Sequence, residues 1–96
     1  DVQVKAPILS AVAVCVQLKP AEGYPFDQVA ETVKERLQAW FTGERLGQGV
    51  LRSQLADLVY HCEGVANYNI VSPRKDVAGS PEVLPQLGRV TTEAMK

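Results

Sequence analysis

The hydrophobic pattern begins with a stretch in which apolar residues alternate with smaller or more polar ones. From Ile8 to Leu18, every even position except Ser10 carries a branched aliphatic side chain, which is the period-two pattern of a β-strand. The odd positions are small and apolar in the first half of this stretch and polar in the second. We therefore predict a long first strand with a second, partly apolar face, and we expect it to lie in the centre of the sheet.

Two amphipathic helices are predicted to follow this strand. Pro25 and Asp27 suit a first helical turn, and the helix is expected to stop before Gly43. Ser53 suits the N-cap of the second helix, and Gly64 suits a left-handed turn after its end. The apolar positions of the two helices recur at helical spacing and are expected to be buried: Val29, Val33, Leu37, Leu55, Leu58, Val59 and Cys62.

Two shorter strands complete the pattern. Residues 66–71 alternate and stop at Ser72-Pro73, and residues 89–94 form a last short strand. Residues 74–86 are rich in Pro, Gly, Ser and charge, so we expect an irregular excursion there. The order β-α-α-β-β predicts an α+β fold, a three-stranded sheet with two helices packed on one face. The strands are expected to contribute these residues to the core: Val12, Val14, Val16, Leu18, Tyr68, Ile70 and Val90.

The chain of 96 residues is expected to hold one domain. We assign residues 8–96 to this domain and residues 1–7, which end in Ala6-Pro7, to a linker from a preceding region. Because there is no initiator Met, we expect the chain to be either a processed product or a piece of a longer protein, and we prefer the second.

Composition excludes several classes of partner. A net charge of −1 provides no field that would attract nucleic acid or an anionic membrane, so neither is expected as a partner. The longest apolar run, residues 8–16, is far shorter than the ~20 residues of a membrane-spanning helix.

The two cysteines, Cys15 and Cys62, are expected on opposite sides of the sheet and therefore unbonded.

No residue pattern predicts catalysis. His61 is the only histidine, and its neighbour Cys62 would face another direction around a helix, so the two do not make a dyad. Glu31 and Glu35 lack the histidine partners of a helical metal site. The glycines between the helices lack the lysine of a phosphate-binding loop. We therefore predict no catalytic, cofactor-binding or metal-binding residues, and we do not expect an enzyme.

Several short motifs occur in a fixed order. Leu46-Gly47 with Val50 precedes the second helix, Gly64-Val65-x-x-Tyr68-x-Ile70-x-x-Pro73 spans the second strand, and Leu87-Gly88-x-Val90 lies near the end. Together they resemble the C-terminal region of phage baseplate J-like proteins, from about Pro7 to Val90. The resemblance implies a non-enzymatic structural role in the virion tail baseplate, with no cofactor and no small-molecule substrate. It also implies that other tail subunits and further copies of the chain are its partners, and that it passes through the bacterial host cytoplasm during assembly.

The first strand supplies a candidate interface. Its odd face begins Leu9, Ala11, Ala13, Cys15, and we call these four residues the apolar strip. We expect this strip to lie beside polar residues of the same sheet face, as the dry centre of an interface lies beside its wet rim, and to contact another domain or subunit. The flanking polar residues are expected to be Asn67, Asn69, Arg89, Thr91 and Glu93.

The alternative function is a small-molecule-binding or regulatory α+β module, because sheets of this kind also host sensors. Such a module should show an enclosed pocket lined by convergent polar groups.

Overall fold

A computed structural model describes residues 8–95 of the chain and confirms the α+β prediction. The strands are β1 (Ile8–Pro20), β2 (Val65–Ser72) and β3 (Val83–Ala94). The helices are α1 (Phe26–Trp40) and α2 (Arg52–Tyr60), and a 3-10 turn, Gly43–Arg45, lies between them. The predicted linker, residues 1–7, lies outside the described residues.

The sheet has the order β2-β1-β3, so the first strand is central, as predicted. β2 runs antiparallel to β1 and pairs with residues 15–20 alone, whereas β3 runs parallel and pairs from Ile8 to Leu18. The two halves of β1 therefore differ. The second half has a partner strand on each edge, and the first half has one on the β3 edge.

The core lies between the inner face of the sheet and the two helices. Every second residue of β1 from Val12 to Leu18 is buried, and these side chains meet the apolar stripes of α1 and α2. Three residues predicted for the core, Leu58, Tyr68 and Val90, are half-buried and pack against it. Pro85 of β3 is buried as well. The buried hydrophobic residues of the core are Val12, Val14, Val16, Leu18, Val29, Ala30, Val33, Leu37, Val50, Leu55, Val59, Cys62 and Ile70.

A β-bulge explains the spacing Leu87-Gly88-x-Val90. Val12 pairs with Leu87 and Val14 with Val90, so β3 carries one more residue than β1 between these two pairs. Both Leu87 and Val90 consequently pack against the core, which a regular strand would not allow for residues three apart. Gly88 lies so close to β1 that a Cβ there would be 3.2 Å from the carbonyl oxygen of Val12.

The prediction of an irregular segment over residues 74–86 was wrong for residues 83–86, because β3 begins at Val83 rather than Arg89. The content of proline, glycine, serine and charge in residues 74–86, Pro85 included, was the reason to expect an irregular segment there. β3 is an edge strand, and an edge strand tolerates proline where the missing N–H would point away from its neighbour.

The remaining excursion is held to the body of the domain rather than being free. Val77 and Val50 exchange backbone hydrogen bonds of 2.9 and 2.8 Å. Gly49 and Gly79 lie where the two loops cross, and a side chain on either would overlap the other loop's backbone. The glycines between the helices therefore serve loop packing, and Val50, which the sequence pattern placed in a loop, is fully buried.

The predicted N-cap of α2 was also wrong. The helix begins at Arg52, and Ser53 lies inside its first turn. The side chain of Gln54 accepts the N–H of Leu51 at 3.0 Å, and the Asp76 carboxylate accepts the N–H of Arg52 at 2.7 Å. Both acceptors take the place of a serine cap. The prediction of a left-handed glycine after α2 was confirmed, since Gly64 has φ +89°.

Truncation of the core tests these assignments. Val14→Ala or Leu37→Ala should lower the free energy of unfolding by about 1.5–5 kcal/mol, because each removes buried methyl groups and leaves a cavity. Leu46→Ala is the matched control, since Leu46 is 47% exposed. Denaturant melts in which either core variant stays within ~0.5 kcal/mol of the wild type would contradict the assignment of the buried faces.

Candidate functional site

The sheet face opposite the helices carries the predicted interface residues on one strand. Leu9, Ala11 and Ala13 are exposed, with Leu9 at 58%, and Cys15 is half-buried. Ile8, at the same end of β1, is 59% exposed although its parity is that of the core face. The start of β1 therefore extends beyond the cover of the helices.

Polar residues occupy the other half of this face. Asn69 donates to the side chain of Gln17 at 3.1 Å, and the Cys15 thiol donates to the Glu93 carboxylate at 3.1 Å. Lys19 pairs with Asn67 in the β1–β2 register. Arg89 and Thr91 are exposed, as expected.

The arrangement of the two regions differs from the prediction. The apolar strip and most of the polar residues lie end to end along β1 rather than side by side, with Arg89 at the junction beside Ala13. The reason is the length of β2, which reaches no further than Cys15 and so places Asn67 and Asn69 beside the second half of β1.

Leu84 belongs to this apolar surface and was missed from the sequence. It pairs with Leu9 in the β1–β3 register, so the two side chains share the outward face. The apolar run Val83-Leu84-Pro85 is the signal in the sequence that points to Leu84. The run was instead included in the predicted irregular segment, residues 74–86.

The thiols lie on opposite sides of the sheet, as predicted. Cys15 is on the outward face and Cys62 is in the core. The hydrogen bond to Glu93 is the largest cause of a raised pKa for Cys15, followed by partial desolvation and the charge of the same carboxylate. Burial raises the pKa of Cys62, and the charge of Arg36 offsets part of that effect. Both thiols are therefore poor nucleophiles near neutral pH.

The other candidate chemical groups lie apart from one another. The side chain of His61 is 72% exposed and contacts Asp57 one helical turn away, within α2 and its C-cap. Tyr24 donates to Glu63 at 2.9 Å, and this hydrogen bond raises the pKa of the tyrosine. Within residues 8–95, no three potential metal ligands lie together, and no helix is long and apolar enough to cross a membrane.

The depressions on the surface are open to solvent. One lies between the start of α2 and β2, lined by residues that include Arg52, Asn67 and Tyr68. A second lies between α1 and β3 and includes Lys34 and Leu87. In the part of the chain that the structure describes, no polar or charged residue is buried, so neither depression has the enclosed polar lining of a ligand pocket.

Comparison with known protein families shows which family has this domain. The model of the Baseplate J-like protein C-terminal domain matches residues 12–93, which include both helices, β2 and most of β1 and β3. The chain belongs to this family. No curated protein sequence matches the chain.

Membership makes the chain a domain of a phage tail baseplate component, located in the virion tail. The baseplate family is in general a structural rather than an enzymatic one. The match includes Ala13 and Cys15 of the apolar strip, whereas Leu9 and Ala11 precede it.

The contact between Cys15 and Glu93 gives a measurable prediction. Glu93→Gln removes the carboxylate that holds the thiol proton, so the pKa of Cys15 should fall and its alkylation at a fixed pH near 8 should become faster. The pH profile of alkylation, followed by mass spectrometry, measures the shift.

Cys62 is the internal control, because its burial should keep it slow in the folded wild type and in the variant. Titration of the denatured, unreduced chain should find two free thiols per chain. An unchanged pH profile for Cys15 in the glutamine variant would contradict the role of Glu93.

Proposed function

We propose that this domain is a non-catalytic structural part of the baseplate, which holds other tail subunits through the outward start of β1. The interface is the apolar strip of Leu9, Ala11, Ala13 and Cys15, extended by Leu84. The observation that carries the proposal is the exposure of this apolar surface in a domain whose family builds tail baseplates.

The strip has the physical character of an interface centre. Burial of an exposed leucine side chain contributes about 1.5–3 kcal/mol, and Leu9 is more than half exposed in the isolated domain. Ala11 and Ala13 project little from the sheet, so a flat partner surface can approach β1 closely. The polar half of the same face, with Gln17, Asn69 and Glu93, then serves as the hydrated rim.

The partners follow from the family and from the chemistry of this surface. We propose other tail subunits and further copies of the chain as partners, contacted first in the host cytoplasm and then in the virion. Neither nucleic acid nor a membrane is proposed as a partner, because the chain has a net charge of −1 and the strip carries no basic residue. Residues 8–96 are proposed as the C-terminal domain and residues 1–7 as the linker before it.

An assembly role is preferred over a small-molecule sensor. A sensor requires polar groups that converge in an enclosed site, and the described depressions are open. We therefore propose no cofactor and no small-molecule substrate.

The double variant Ala11→Glu, Ala13→Glu tests the proposal. Both positions are exposed, so the domain should remain folded, with a free energy of unfolding within ~1 kcal/mol of the wild type. The two buried charges should prevent baseplate assembly in a phage or prophage that encodes the protein. Electron microscopy of the particles and mass spectrometry of purified baseplates measure the outcome.

The matched control is Asn67→Glu, Asn69→Glu, which places two carboxylates on β2, opposite Lys19 and Gln17 on the polar half of the same face. This control should assemble normally. Normal baseplates from the Ala11, Ala13 variant would exclude the apolar strip as the interface.

A further inference from the structure

We draw no further inference here: the strongest candidate, the β2-side backbone edge of β1 over residues 8–14, which pairs with no strand among residues 8–95, would accept any apolar strand, and nothing in the structure shows what covers it.

Discussion

The contact between the inner face of β1 and the two helices is the interaction on which the rest of the structure depends. Val14, Val16 and Leu18 are at most 1% exposed, and they meet Val33, Leu37 and Leu55, which are fully buried. In a domain of this size, burial of one such layer provides most of the favourable free energy of folding. β1 is also the strand that pairs with both other strands, and its inner face packs against both helices.

The same strand also leaves part of the fold incomplete. β2 is eight residues long and β1 is thirteen, so the start of β1 extends past its antiparallel neighbour. Among residues 8–95, no helix covers the apolar face of that half and no strand pairs with its β2-side edge, while the outer edges of β2 and β3 are protected by Arg52, Asn67 and Pro85. A domain built into a baseplate can leave such a surface exposed because other subunits are available to cover it.

The sequence was informative where local periodicity and core burial agree. The alternation in β1, the helical stripe around Val33 and the left-handed Gly64 were all predicted from residue patterns. The motif Leu87-Gly88-x-Val90 suggested the family, and the structure gives its physical reason, a bulge that directs both apolar residues to the core.

Features that depend on distant residues were not predictable in this way. The cap of α2 comes partly from Asp76, which lies 24 residues along the chain from Arg52, so Ser53 was chosen on local grounds. The start of β3 was missed because the effect of Pro85 depends on whether its strand is central or at an edge. For the candidate interface, the residues of the strip were predicted, but Leu84 and the end-to-end arrangement require the register between strands.

Amide hydrogen exchange of β1, resolved by NMR on the dilute monomer, tests most directly whether the two edges of this strand differ. The amides of Ser10 and Val12 bond to β3 and should be protected, whereas those of Leu9 and Ala11 should exchange nearly as fast as in an unfolded chain. From Cys15 to Leu18, odd and even residues alike should be protected, because both edges are paired there. Equal protection of Ala11 and Val12 in the monomer would show that the first half of β1 is already covered.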